Sequence, residues 1–336
     1  MLYIDGSFGE GGGQVLRTAL GLSLATGTPF RIDNIRAGRG RPGLLRQHLT
    51  AVRTAATVGR AEVVGDTLGS RALTFVPRAL VAGDHHASIG SAGSAMLVVQ
   101  AVLPALLAAD QPSRLVVEGG THNPSAPPFD FVARTFLPIL ARMGASVRVT
   151  LDRPGFYPAG GGRVLVEVAP AKLAPLELVE RGAVRAIRAR AVVSAVPTSV
   201  AHRELRVLAE RFGLDREALI CEDVPRPVGP GNVVFVEVEC EHVTEVFTAF
   251  GQKGVTSEEV ARAVGDEAQA WIDTGMPVGE HLADQLLIPL ALARGGRFRT
   301  GPVTLHTTTN AEIIGRFLDV RFSFDETAVG TLVSCA

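Results

Sequence analysis

One order of periodicities recurs along the chain: strand, helix, strand, helix, strand, strand. That repeat restricts the fold more than any other feature. The first copy has a strand at Leu2–Asp5, a glycine-rich turn, a helix at Gly13–Ala25 and a strand at Phe30–Ile35. A helix at Leu44–Val58 and strands at Ala61–Val64 and Ala72–Val76 complete it. The second starts at Gly83, about 80 residues on, the spacing of a repeated structural unit. It has a Gly/Ser turn, helices at Ser94–Ala109 and Phe129–Met143, and strands at Arg114–Glu118, Ser146–Leu151 and Arg163–Val168. A third copy closes the chain, with helices at His281–Arg294 and Asn310–Leu318 and strands at Arg297–Thr300, Val320–Phe324 and Val329–Ser334. The expected fold is α/β (α+β), with three βαβαββ units in a large domain and a smaller α/β domain inserted after the second unit. Residues 1–181 and 276–336 form the large domain and 182–275 the insert, whose loop Pro225–Gly231 is rich in proline and glycine.

Composition removes several classes of function. No apolar run reaches the ~18–20 uncharged residues of a membrane span, so no membrane association is expected. Met1–Asp5 lacks the basic and apolar stretches of a signal peptide. Cys221, Cys240 and Cys335 form no CxxC pair, which fits a reducing cytoplasm and neither a disulfide scaffold nor a zinc site. A net charge of −1 argues against a protein coated in nucleic acid but permits one that grips a strand end. Lys172 and Lys253 are the only lysines, and neither stands in a P-loop or a KxDG-like setting. Covalent chemistry on a nucleotide would therefore need a different nucleophile.

Four segments carry candidate chemistry. In Gly9-Glu10-Gly11-Gly12-Gly13-Gln14-Val15-Leu16-Arg17 a glycine run enters a helix, where free N–H groups can meet an anion and Glu10 can hold a divalent metal. The same segment alone fits a tight turn with a solvated glutamate equally well. In Arg36-Ala37-Gly38-Arg39-Gly40-Arg41-Pro42-Gly43, which leads into Gln47 and His48, guanidinium groups could pair with phosphates or merely be solvated. The second unit supplies Ile89–Ser94, then Gln100 as the one polar residue of an apolar helix, and Gly119–Pro128 with Pro127. The third supplies His306-Thr307-Thr308-Thr309-Asn310-Ala311-Glu312, where Thr309 and Glu312 have capping-box spacing. His306 then lies just ahead of a positive helix end, which favours a neutral, nucleophilic imidazole. A lone loop histidine is more commonly structural, and only the other loops shift that balance.

These segments, with Gly155–Gly162 and Gly279–Leu286, resemble the RNA 3′-terminal phosphate cyclases, in family order and over nearly the whole chain outside the insert. The resemblance implies an ATP-dependent conversion of an RNA 3′-phosphate end to a 2′,3′-cyclic phosphate. His306 would carry AMP, transfer it to the RNA 3′-phosphate, and the 2′-OH would expel it. By position, Glu10 would bind Mg or Mn, while Arg17, Arg36, Arg39 and Gln47 hold phosphates with Gln14 beside them. Gln100, Pro127, His281, Leu282, Ala283, Asp284 and Gln285 would form the ATP nucleoside pocket. Members of the family carry Tyr where this chain has His281, a smaller stacking surface. Pro154 stands where the family has Arg or His. The family's fold also serves non-catalytic RNA-binding, ribosome-assembly proteins, but those lack the histidine. Enolpyruvyl transferases need six units, and a histidine-based hydrolase needs an HxH pair that is missing here. A homodimer is compatible with the sequence.

Overall fold

A computed structural model describes all residues, Met1–Ala336. The first sheet contains β1 (Leu2–Asp5), β2 (Phe30–Asp33), β3 (Glu62–Val64) and β4 (Leu73–Val76), in the order β1-β2-β4-β3. Its β1 and β2 are parallel and linked by α1 (Gly13–Thr26); α2 (Arg46–Gly59) follows β2, and the remaining pairings are antiparallel. The second sheet takes the same order from β5 (Gly83–Ser88), β6 (Ser113–Gly119), β7 (Ser146–Arg153) and β8 (Gly162–Ala169). Here α3 (Ala95–Ala108) links the parallel pair. The helix expected at 129–143 is α4 (Phe129–Phe131), a π-helical turn at Val132–Phe136 and α5 (Leu137–Arg142).

The third sheet has its first strand far from the rest. β9 (Leu176–Leu178) pairs in parallel with β14, and only afterwards does the chain build another sheet. That separate sheet has the order β11-β10-β12-β13. Its strands are β10 (Val184–Ser194), β11 (Leu219–Asp223), β12 (Gly231–Cys240) and β13 (Thr244–Phe250), with α6 (Thr198–Phe212) and α7 (Ser257–Thr274) as its helices. The chain then returns through α8 (Glu280–Ala293), β14 (Gly296–Thr300), α9 (Leu305–Phe317), β15 (Phe322–Thr327) and β16 (Gly330–Cys335). Starting from β9, the third sheet again runs parallel pair first and hairpin last. The excursion thus leaves the chain after the third unit's first strand. Three residues carry too little periodicity to announce that strand beforehand.

One continuous hydrophobic core joins all of these layers. Its centre is α3, buried at twelve of its fourteen residues, as expected of a helix apolar on every side. α1 lies close against it because Gly21 leaves room for Pro104; a Cβ there would come within 3.1 Å of the proline ring. No helix is long and apolar enough to cross a membrane. The separate sheet is tied on by Arg134 to Glu237 (2.8 Å), by Arg190 to buried Asp130, and by Arg142 Nη1 donating to His242 O at 2.6 Å.

The start of α9 differs from the expected one. Thr304 is the N-cap, its hydroxyl accepting the Thr307 N–H, and the helix begins at Leu305. Thr309 does not cap because its hydroxyl is engaged elsewhere: buried, it accepts the Glu10 N–H at 3.1 Å. His306 is consequently inside the first turn and not ahead of it. α7 shows the expected device correctly used, with Thr256 and Glu259 forming a reciprocal capping box.

Candidate active site

His306, on the first turn of α9, is half-exposed at 51% of its side chain. Its Nδ1 stands 2.9 Å from Gln14 Oε1 on α1. An amide oxygen only accepts, so Nδ1 carries the proton and Nε2 keeps its lone pair. Gln14 is itself oriented, because its amide nitrogen donates to Asp284 Oδ2 at 2.6 Å. Asp284 Oδ1 accepts from Gln285 at 2.9 Å, and Gln285 Oε1 accepts from Gln100. Two hydrogen-bond arms therefore converge on the Asp284 carboxylate of α8, one donated from Gln100 of α3 through Gln285 and one from the imidazole of α9 through Gln14 of α1. Asn310 braces it by donating to Asp284 O at 3.0 Å while accepting from Thr18.

Electrostatics favour the neutral ring. Burial lowers the His306 pKa from its ordinary value, helped by Arg39, Arg17 and His281 and opposed by Asp284. Burial also raises the Asp284 carboxyl, against the pull of Gln285, His306, Arg17 and His281. The imidazole is thus held neutral at pH 7, with Nε2 turned toward Glu10 Oε1 at 3.7 Å.

Near that nitrogen one cationic group lacks a partner. Arg17 makes no ion pair, its Nε is buried without a hydrogen bond, and burial lowers its pKa to about 10. It remains charged at neutral pH, and an anion brought to it would relieve the cost of that burial. Both carboxylate oxygens of Glu10 are buried without a hydrogen-bond partner, although Arg39 forms an ion pair with one. The N-terminus of α1, capped by no side chain, opens beside them at Gly12. No acidic residue lies in the first turn of α1 or α9, so two positive helix ends meet at this point.

The other expected residues divide. Arg36 is buried and donates to Arg41 O (2.6 Å) and Gly43 O (2.9 Å), so it also braces the arginine loop. Gln47 Oε1 accepts the Ser94 N–H at 3.0 Å, which joins α2 to the loop before α3 and leaves its amide hydrogens to face outward. Gln100, Asp284 and Gln285 line a cavity of about 60 Å³ that also touches Gln14 and Arg17. Leu282 and Ala283 belong to the hydrophobic core and support the site from behind, because on α8 they fall on the face opposite to His281. His281 is exposed, 3.7 Å from Glu280, and half-buried Pro127 sits in the β6–α4 loop; neither lines the cavity.

His48 was not singled out by sequence reasoning, although it closes the arginine segment. It is buried, its Nδ1 accepts the Leu45 N–H at 3.3 Å, and its Nε2 crowds Gly13. Burial, then Arg17 and Arg36, push its pKa down to about 3, so it is a neutral Nε2–H donor at the mouth of α1. Thr309, expected as the N-cap, instead ties α9 to the Glu10 loop, a role its sequence neighbours do not signal because the partner is distant in sequence.

A family model described as RNA 3′-terminal phosphate cyclase matches residues 8–324. Curated proteins called RNA 3′-terminal phosphate cyclase are similar over almost the full length. That of Koribacter versatilis (strain Ellin345) is 51% identical over 327 residues, 97% of this chain and 92% of the relative. That of Ectopseudomonas mendocina (strain ymp) is 51% identical over 319 residues, 95% and 93% respectively. That of Salmonella enteritidis PT4 (strain P125109) is 49% identical over 334 residues, 99% and 98%.

Proposed function

From the premise that this chain belongs to the RNA 3′-terminal phosphate cyclase family, we propose that it cyclises RNA 3′-phosphate ends with ATP through an adenylylated His306. His306 Nε2 attacks the α-phosphorus of ATP, forming the N–P bond and releasing pyrophosphate. The RNA 3′-phosphate oxygen then displaces the imidazole, giving RNA-(3′)pp(5′)A. Finally the adjacent 2′-OH attacks the activated 3′-phosphorus, loses its proton, and expels AMP, leaving the 2′,3′-cyclic phosphate.

One observation carries this reading: Gln14 holds the Nδ1 proton and leaves Nε2 as the free nucleophilic atom, near Arg39 and the unpaired guanidinium of Arg17. Arg17, Arg39 and the amide of Gln47 bind phosphates and offset the charge that gathers on them during transfer. The carboxylate of Glu10 suits a divalent cation, since both of its oxygens are buried without hydrogen-bond partners. No group of three His, Cys, Asp or Glu side chains gathers there, so water and phosphate oxygens would supply the remaining ligands. When bound, the cation would draw charge from the phosphates. Gln100, Asp284 and Gln285 hold the nucleoside side.

Incubation with α-labelled ATP and Mg²⁺ or Mn²⁺ tests the proposal. An acid-labile, base-stable protein–AMP adduct is expected, absent in His306→Ala and discharged by a 3′-phosphate oligoribonucleotide but not by a 3′-OH one. Label retained by His306→Ala would assign the nucleophile elsewhere.

A further inference from the structure

We propose that the groove between α2 and the edge strand β5 is the track for the RNA backbone upstream of the terminal phosphate. This deepens the cyclase reading and rests on it. α2 has its N-terminus at the site, with Gln47 and His48 in its first turn. From there Arg46, Thr50, Arg53 and Thr57 recur at steps of four, three and four, which puts them on one helix face. The opposite face, with Ala51, Val52, Ala55 and Val58, is buried. The stripe spans twelve residues, eleven steps and about 16 Å at the helical rise. It therefore reaches beyond the terminal nucleotide.

The groove has about 300 Å³ of free volume. Its far wall is β5, at the edge of its sheet, exposing His86 and Ser88. Arg46 is exposed and has no carboxylate within ion-pair distance, and Arg53 has only exposed Asp66, at 3.4 Å. An exposed pair of that kind contributes little and exchanges readily for a phosphate. Thr50 and Thr57 each donate their hydroxyl proton to a helix carbonyl, Arg46 O and Arg53 O. Their oxygens consequently face the groove as acceptors, which suits the 2′-OH of ribose. No Phe, Tyr or Trp lines it and the imidazole of His86 is its only ring, so the groove has no stacking platform for successive bases. Cations for phosphates and acceptors for 2′-OH groups, leading out of a site that acts on an RNA end, point to a single RNA strand held without sequence preference.

The test compares the parent protein with Arg53→Glu, the distal change, and with Arg46→Ala/Arg53→Glu. Cyclisation of a 3′-phosphate dinucleotide and of a longer 3′-phosphate oligoribonucleotide is followed across a salt series, with direct binding of the same oligonucleotide by fluorescence anisotropy. For Arg53→Glu the longer RNA should lose about tenfold in KM and in binding, while the dinucleotide and self-adenylylation with ATP stay at parent values. The slope of log affinity against log salt should fall by about 0.7 for each phosphate that is no longer held. Unchanged binding and salt slope for the longer RNA would overturn the track, as would an equal loss with the dinucleotide. Failure of the parent to form an AMP adduct would instead overturn the catalytic reading, and the anisotropy result would still decide the track.

Discussion

The bond between Gln14 and His306 can be broken with little change in packing, by Gln14→Met. Methionine keeps the unbranched shape and most of the volume, so the cost to the surrounding helices is small. Two hydrogen bonds disappear: His306 Nδ1–H loses its acceptor (2.9 Å) and Asp284 Oδ2 loses its donor (2.6 Å). The second loss falls on a buried carboxyl whose pKa is already raised by burial, and removing a donor moves it further in the same direction. The first loss is the one that reaches the chemistry. With nothing to fix the Nδ1 proton, the half-exposed ring can rotate and exchange tautomers, and Nε2 is no longer always the free nitrogen. A net hydrogen bond contributes about 1 to 1.5 kcal/mol, and about 1.4 kcal/mol corresponds to tenfold in rate. Single-turnover adenylylation with α-labelled ATP should therefore slow by about tenfold or somewhat more. The ATP concentration at half-maximal rate should change much less, since the phosphate-binding groups are untouched. A rate constant equal to the parent's would refute the idea that Gln14 selects the reactive tautomer.

Three further outcomes are expected. Because burial lowers the His306 pKa, the adenylylation rate should be flat through neutrality and decline only below the usual imidazole value of about 6.5, in a pH–rate profile of adduct formation. Gly9→Ala should cost roughly 1–2 kcal/mol of left-handed strain, since Gly9 has φ of 59° and its Cβ would strike Thr309 Oγ1, breaking the tie to Glu10; urea unfolding and adduct yield should both fall. Glu245 reaches from β13 to accept the Gly279 N–H at the start of α8, and burial raises its pKa from 4.5 to about 8. Its protonated form is favoured by folding, so its contribution is complete below pH 4.5 and is lost as pH rises toward about 8. Thermal unfolding across that window should show stability falling with pH, and Glu245→Gln should flatten the dependence.

Much of this was legible in the sequence because it depends on local period. The units, the glycine turn before α1 and the arginine segment before α2 are written in neighbouring residues. What was not legible depends on partners far along the chain. The Thr309–Glu312 spacing reads as a helix start, and only the Glu10 N–H, 299 positions away, removes Thr309 from that role. β9 is named as a strand only by its partner β14, on the other side of an entire sheet. The burial of Leu282 and Ala283 could have been read, since 282, 283, 286, 287, 290 and 291 trace one apolar helix face.

The repeat also explains why the site lies where it does. Arg17, Gln100 and Gln285 each stand four residues before Gly21, Pro104 and Pro289, on the helix that links the parallel pair of each similar sheet. All three line one cavity, so equivalent positions from three sheets converge on a single point. The second helix of each unit behaves likewise: two residues after the N-caps Leu45, Pro128 and Thr304 come Gln47, Asp130 and His306. Gln47 binds the loop before α3, and Asp130 is held by His122 at 3.0 Å and by Arg190. Only His306 meets a glutamine oxygen at Nδ1 and open, cation-lined space at Nε2. The backbone offers the same first-turn position three times; it is the partner side chains, Gln14 above all, that give one of them a fixed Nδ1 proton and an open Nε2.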